Sequence, residues 1–185
     1  MIDRILLVDD ETNVLSALKR ALFDEPLEII TSTSAEDALE IMKNQSFKVV
    51  ISDERMVGMQ GSEFLSLIKE SYPDTIRILL TGHATLDAAM RAVNMGEIYR
   101  FFSKPWDENH LKYAIRSAIE KFNLETENRR LLATVKQQSL EIKVLEKRFP
   151  GISRVEKDDR GAFVLPDISD DEIKAMLVEC EKEVR

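Results

Sequence analysis

Five short apolar runs, separated by amphipathic stretches, occupy the first two-thirds of the chain and limit its possible folds more than any other feature. The runs lie at residues 5–8, 27–30, 49–51, 76–80 and 98–102. They are brief and rich in branched and aromatic side chains, as buried parallel strands are. Regular alternation of strand and helix predicts an α/β fold, with a doubly wound, five-stranded parallel sheet covered by helices on both faces.

The amphipathic stretches between the runs carry helix signals. Ser34 is placed to cap the second stretch, and Pro73 predicts the end of the third. A fourth stretch at 86–93 is followed by Gly96 as a plausible C-cap. These signals predict four helices between the strands.

A long helix is predicted after the fifth run, because residues 107–149 contain neither proline nor glycine. Its first part carries apolar residues that can cover the sheet. Its second part has a heptad pattern of alternating three- and four-residue steps. The seam consists of Leu124, Asn128, Leu131, Val135, Gln138, Ile142, Leu145 and Phe149.

The heptad seam predicts a coiled-coil homodimer, in which a buried Asn128 amide would fix the register. The alternative is a single solvated helix whose apolar stripe packs on a neighbouring domain. The predicted organisation is a domain at 1–123, a coiled-coil helix at 124–149 and a small C-terminal unit at 150–185.

The C-terminal unit begins where Pro150 and Gly151 end the long helix. Apolar runs at 152–155 and 162–165 flank a glycine-containing loop and predict a β-hairpin. A capping sequence beginning at Ser169 then predicts a short helix. This unit is too small to hold a core alone, so we expect it to dock on an unidentified protein partner.

Composition limits which kinds of partner the protein can bind and where in the cell we expect it. The net charge is −8, which argues against a general nucleic-acid or anionic-membrane binder. The single cysteine, Cys180, cannot form an internal disulfide. The N-terminus lacks a signal-peptide pattern, and no apolar run approaches the roughly 20 residues needed to cross a bilayer. We therefore expect a soluble, cytoplasmic protein with no nucleic-acid or membrane partner.

Polar residues follow four of the predicted strands at their carboxyl ends. The first strand ends in Asp9 and Asp10, the third in Asp53 and the fourth in Thr81, and Lys104 follows the fifth. The carboxyl ends of parallel strands meet at one crevice. Three carboxylates there favour a hard cation such as Mg²⁺. A carboxylate is also a nucleophile that can form an aspartyl phosphate.

The segments that carry these residues are LLVDDE, VVISDERMVGMQG, LLTGHA and RFFSKPW. Through them, residues 2–123 resemble the flavodoxin-like receiver domain of bacterial two-component response regulators. The resemblance implies that Asp53 accepts a phosphoryl group from a histidine kinase or phosphotransfer protein.

The resemblance also implies further site roles. Mg²⁺ would be held by three carboxylates and one backbone carbonyl, those of Asp9, Asp10, Asp53 and Arg55. Thr81 would be the switch hydroxyl, and Lys104 would pair with the phosphoryl group. The Lys104–Pro105 peptide would be cis. Phe101 would be the switch aromatic, although a plain core phenylalanine is the alternative.

Two positions depart from the family pattern, since Val57 replaces a usual proline and Gln60 a common acidic residue. No catalytic group is lost by either change. Arg55 and His83 lie two residues beyond Asp53 and Thr81. We expect them to tune the lifetime of the aspartyl phosphate by controlling water access, and solvated rim residues are the alternative.

The resemblance implies a response regulator, and together with the heptad seam it predicts that phosphorylation is transmitted through coiled-coil dimerisation and partner binding by the C-terminal unit. It would be a self-modifying phosphoacceptor and not an enzyme with turnover. One alternative is a phosphate sink or scaffold without regulated output. Another is an aspartyl-nucleophile phosphatase, but such enzymes commonly carry Asp-x-Asp at the first strand, whereas this chain has Asp9-Asp10.

Overall fold

The structure of the protein is a computed structural model that describes residues 3–82 and 98–149, together with the backbone of two short strands near the C-terminus. The elements in chain order are β1 (Asp3–Val8), α1 (Thr12–Ala21), β2 (Leu27–Ser32), α2 (Ala35–Asn44), β3 (Val49–Asp53), α3 (Gly61–Ser71), β4 (Ile76–Thr81), β5 (Arg100–Ser103), α4 (Glu108–Arg148), β6 (Glu156–Lys157) and β7 (Phe163–Val164).

The first five strands form one parallel sheet in the order β2-β1-β3-β4-β5. This arrangement confirms the predicted doubly wound fold. The fifth strand begins at Arg100, two residues later than the apolar run that predicts it. Ile98 is nevertheless buried in the core, which explains why the run begins before the strand does.

Each face of the sheet has its own core, because successive side chains of a strand point to opposite faces. Leu6 and Val50 join one cluster, together with buried side chains of α2 and α3. Ile5 and Ile51 join the other, together with buried side chains of α1 and α4. Each such side chain contributes about 1.5–3 kcal/mol by leaving water. The helices therefore lie on both faces, as the alternation of elements predicts.

Local capping groups set several helix ends. The Ser34 hydroxyl accepts a 3.1 Å hydrogen bond from the Asp37 amide, which confirms the predicted cap of α2. Helix α3 ends at Ser71, before Pro73. The Asp107 carboxylate accepts a 2.8 Å bond from the His110 amide and caps α4, which was not anticipated from the sequence. The predicted fourth helix at 86–93 and its Gly96 C-cap lie outside the described residues.

Helix α4 is a single helix of 41 residues. Its first four turns bury apolar side chains, and beyond Phe122 its side chains are mostly exposed. The buried side chains are those of Leu111, Ala114, Ile115, Ala118 and Ile119. Among the residues that the structure describes, no helix is long and apolar enough to span a membrane.

The chain divides into two compact units, and the boundary lies between Leu131 and Leu132. In the second unit β6 and β7 pair antiparallel, with Glu156 opposite Val164 and Lys157 opposite Phe163. The second of these strands lies within the predicted run at 162–165, but the first lies at 156–157, after the predicted run at 152–155, so only part of the predicted hairpin matches. The run at 152–155 and the predicted helix from Ser169 lie outside the described residues. The domain boundaries at 123 and 149 stay a prediction.

Candidate functional site

The polar residues after the strands meet at one edge of the sheet because of its register. Val8 at the end of β1 lies beside Ser52, and Asp53 lies beside Leu80 of β4. Strands β1 and β3 are neighbours although β2 lies between them in the chain. The chain after β1 enters α1 on one face of the sheet, and the chain after β3 enters α3 on the other face. This divergence opens a crevice at the carboxyl ends of the two strands.

Three carboxylates lie at this crevice. Each of Asp9, Asp10 and Asp53 offers an oxygen that lies within 4.8 Å of the oxygens of the other two. Asp9 is 0% exposed and Asp53 is 5% exposed, while Asp10 is half-buried. Close carboxylates with restricted access to water repel one another unless a cation lies between them. Their oxygen donors fit Mg²⁺, which prefers a few carboxylates completed by water and phosphate.

The ammonium of Lys104 contacts two of these carboxylates. Its Nζ lies 2.8 Å from Asp9 Oδ2 and 2.6 Å from Asp53 Oδ1. Burial disfavours the charged form of Lys104, but the hydrogen bonds to Asp53 and Asp9 outweigh it and raise the pKa of the ammonium. Burial raises the pKa of Asp9, and the bonds from Lys104 and the Glu11 amide oppose that rise. Lys104 therefore supplies a fixed positive charge beside Asp53.

Backbone amides fix each carboxylate. The Arg55 amide donates to Asp53 Oδ2 at 2.8 Å, and the Val57 amide donates to Asp10 Oδ2 at 3.0 Å. The Glu11 amide donates to Asp9 Oδ1 at 2.9 Å. The loop between β3 and α3 thus donates hydrogen bonds to two of the three carboxylates.

The fourth and fifth strands supply the remaining groups of the predicted site. Thr81 is buried, and its hydroxyl donates to the Gly82 carbonyl at 3.0 Å. The Lys104 amide donates to the Thr81 carbonyl at 2.8 Å, and the Lys104–Pro105 peptide is cis. Phe101 is half-buried and packs against the core cluster that contains Leu79. The switch roles of Thr81 and Phe101 stay predictions.

The two predicted lifetime-tuning residues differ in whether the structure describes them. The Arg55 side chain is exposed at the rim of the crevice, beside its own amide contact with Asp53. His83 lies outside the described residues. The roles of both residues, and of the Arg55 carbonyl as a metal ligand, stay predictions.

Glu54 and Gly61 were missed as site residues by reasoning from the sequence. A Cβ on Gly61 would lie 1.9 Å from the Asp53 carbonyl oxygen, so only glycine fits there. Glu54 is buried directly after the phosphoacceptor candidate, and its carboxylate accepts hydrogen bonds from Ser62. An acidic residue at the end of an apolar strand was the available signal for Glu54.

Comparisons with known proteins agree with this geometry. A family model described as the response regulator receiver domain matches residues 5–116, more than half of the chain. The hydrogenase transcriptional regulatory protein HoxA of Cupriavidus necator is 36% identical over 127 residues, which are 69% of this chain and 26% of HoxA. The transcriptional regulatory protein GlrR of Escherichia coli K12 is 32% identical over 142 residues, which are 77% of this chain and 32% of GlrR.

Solved structures show the same relationship. A structure titled adenylate cyclase from Rhodopirellula baltica has 38% identity and a TM-score of 0.68, over 72% of this chain and 98% of that one. The signal receiver domain of an HD domain-containing protein from Pseudomonas fluorescens Pf-5 has 38% identity and a TM-score of 0.64, over 68% of this chain and 92% of that one. The chain matches about a quarter to a third of the length of the curated relatives named above.

Proposed function

The chain belongs to the response regulator receiver domain family, and from this membership we propose that it is a signalling switch in which Asp53 accepts a phosphoryl group. The donor would be the phosphohistidine of a histidine kinase or of a phosphotransfer protein. The protein would thus promote its own modification without acting as an enzyme with turnover. Two-component signalling is the setting that the family implies.

The observation that carries the proposal is the environment of the Asp53 carboxylate. Two further carboxylates lie within 4.8 Å, and the Lys104 ammonium lies 2.6 Å from Asp53 Oδ1. Asp53 is nearly enclosed by protein, so few waters compete with an incoming phosphoryl donor. A bare surface aspartate would have neither the acidic partners nor the fixed cation.

The proposed transfer forms a mixed anhydride. A carboxylate oxygen of Asp53 forms a bond to phosphorus, the phosphorus–nitrogen bond of the phosphohistidine breaks, and the imidazole leaves with that electron pair. Lys104 would move its contact from the carboxylates to an oxygen of the phosphoryl group. Mg²⁺, held by Asp9, Asp10, Asp53 and the carbonyl of Arg55, would neutralise charge on the transferring group.

The readout of the modification is proposed to begin at Thr81 and Phe101. The Thr81 hydroxyl would exchange its bond to the Gly82 carbonyl for one to the phosphoryl group, and Phe101 would change rotamer with it. Arg55 and His83 would set how quickly water reaches the anhydride. Beyond the receiver, the seam of α4 would form a homodimer, and the unit at 150–185 would bind a downstream protein.

The test is incubation with acetyl phosphate and Mg²⁺, followed by intact-mass and peptide analysis. We expect the mass of one phosphoryl group on the peptide that contains Asp53, and no gain for Asp53→Asn. Asp37→Asn is the matched control, since this exposed aspartate on α2 lies outside the acidic cluster and should react as the parent does. A phosphoryl group on another residue, or unchanged labelling of Asp53→Asn, would contradict the proposal.

A further inference from the structure

Glu54 is a buried acid that the proposed phosphoryl transfer does not use. It is 6% exposed and directly follows Asp53. A buried carboxylate is costly unless hydrogen bonds satisfy its oxygens. The acidic cluster found among the described residues consists of Asp9, Asp10 and Asp53. The carboxylate of Glu54 instead accepts hydrogen bonds at the start of α3, so its role differs from that of the three aspartates.

Ser62 satisfies both oxygens of Glu54. The Ser62 amide donates to Oε2 at 2.9 Å, and the Ser62 hydroxyl donates to Oε1 at 3.0 Å. Ser62 is the second residue of α3, where a backbone amide has no partner within the helix. A carboxylate at this end also interacts favourably with the helix dipole. Gln60, at the N-cap position of α3, makes no side-chain cap bond. Glu54 therefore supplies the acceptor that caps the N-terminus of α3.

The backbone of Glu54 completes this connection. Its carbonyl accepts from the Gly61 amide at 3.0 Å, and its amide donates to the Leu80 carbonyl of β4 at 2.8 Å. Gly61 approaches so closely that a Cβ there would overlap the Asp53 carbonyl oxygen. The first turn of α3 is thus packed against the residue that carries the phosphoacceptor carboxylate.

These bonds close the segment that runs from Glu54 to Gly61. Within it, the amides of Arg55 and Val57 hold oxygens of Asp53 and Asp10. The positions of these two amides depend on where the segment begins and ends. Glu54 is its first residue and also bonds to Gly61 and Ser62 at its far end. A change in this closure would therefore alter the separation of two metal-ligating carboxylates without touching either of them.

We propose that Glu54 is a positioning residue that acts through its two hydrogen bonds with Ser62 to set the geometry of Asp53 and Asp10 for Mg²⁺ binding and phosphoryl transfer. This inference rests on the proposed function of Asp53. The proposed role depends on the two hydrogen bonds with Ser62, so a side chain that keeps both bonds should keep the role even without the charge. Glutamine can reproduce that shape, since its carbonyl accepts from the Ser62 amide and its NH₂ group donates to the Ser62 hydroxyl oxygen.

The experiment compares Glu54→Leu, Glu54→Gln and Ser62→Ala in the full chain, with Glu63→Gln as the control. Glu63 is the next acidic residue along the chain and is exposed in the first turn of α3. The dissociation constant for Mg²⁺ is measured from the fluorescence of Trp106, the single tryptophan, which lies two residues beyond Lys104. The rate of labelling by acetyl phosphate is measured at saturating Mg²⁺.

We expect Glu54→Leu to weaken Mg²⁺ binding and slow labelling by about 10-fold or more, the range for residues that support metal ligands. Ser62→Ala should lose less of its Mg²⁺ affinity and labelling rate, because the backbone amide at position 62 can still donate to Glu54. Glu54→Gln and Glu63→Gln should stay close to the parent protein. Circular dichroism shows whether Glu54→Leu folds. If it does not, weaker Mg²⁺ binding and slower labelling in Ser62→Ala, with neither change in Glu54→Gln, still support the role.

Two results would overturn this role. One is a lower melting temperature in Glu54→Leu and Ser62→Ala with unchanged Mg²⁺ affinity and labelling rate, which would mean that the bonds only stabilise the fold. The other is a loss in Glu54→Gln equal to that in Glu54→Leu, which would mean that the charge is what matters. Absence of labelling in the parent protein would instead overturn the proposed function of Asp53, while the Mg²⁺ titration would still test Glu54.

Discussion

The two parts of α4 differ in what covers their apolar side chains. In the receiver-bound part, 108–122, Leu111 is 0% and Ile115 is 1% exposed. In the distal part, 123–148, Leu131 is 54% and Val135 is 59% exposed. The residue types are similar, so the sheet accounts for the difference. Among the residues that the structure describes, none covers this periodic apolar stripe, as expected for the coiled-coil seam proposed above.

Beyond Phe122, polar side chains of α4 still contact the receiver. Lys48 donates to the Asn123 side chain at 2.5 Å, and Arg129 pairs with Asp74 of the loop before β4. At about 3.6 residues per turn, Phe122 and Arg129 share one side of the helix, while Leu124 and Leu131 lie nearly opposite. The seam therefore begins on the side of α4 that faces away from the sheet.

The largest expected effect comes from placing a charge in the receiver-bound part. Ile115→Asp would bury an unpaired carboxylate against the sheet and should cost about 4 kcal/mol or more of unfolding free energy. Urea denaturation followed by circular dichroism measures this loss. A cost below about 1 kcal/mol would mean that this part of α4 does not belong to the core.

The same kind of substitution in the distal part should behave differently. Leu131→Asp with Val135→Asp should abolish dimerisation, because two charges would enter the predicted seam. The receiver's own stability should change little, since both side chains are exposed in the single chain. Sedimentation velocity measures the dimer, and Lys136→Gln outside the seam is the control. A wild-type chain that is monomeric at every concentration would remove the coiled-coil proposal.

A smaller, qualitative change is expected at Asn128. A buried amide pair specifies register and strand number at a cost in stability, so Asn128→Leu should raise the melting temperature of the distal helix. It should also allow species larger than a dimer, which light scattering after gel filtration would detect. If the variant has the same mass and melting temperature as its parent, Asn128 does not lie in an interface.

The smallest effect is expected at Arg129, in the distal part of α4 near its start. Arg129→Ala removes the exposed pair with Asp74 and should cost less than about 1 kcal/mol at low salt, and less again at high salt. Urea titrations at two salt concentrations measure it, with Lys136→Ala as the control. A salt-independent loss above about 2 kcal/mol would show that Arg129 has a further role in fixing α4.

The sequence predicts the sheet and the acidic crevice because both follow from short-range patterns. Apolar runs mark the strands, and Asp9, Asp53 and Lys104 directly follow or end them. The contacts of Lys48 with Asn123 and of Arg129 with Asp74 join residues 75 and 55 positions apart, which no periodicity connects. Glu54 was missed for a similar reason, since its partner becomes visible only when α3 packs against β3.

We propose above all that the crevice at Asp53 controls the distal part of α4 and the C-terminal unit at 150–185. The most direct measurement is the solution mass across a concentration series, with and without beryllofluoride and Mg²⁺, on the parent and on Asp53→Asn. Beryllofluoride stands in for the phosphoryl group. The account predicts a change in the monomer–dimer equilibrium and in protease cleavage within 150–185, both absent in Asp53→Asn. Identical masses and cleavage patterns with and without beryllofluoride would contradict it.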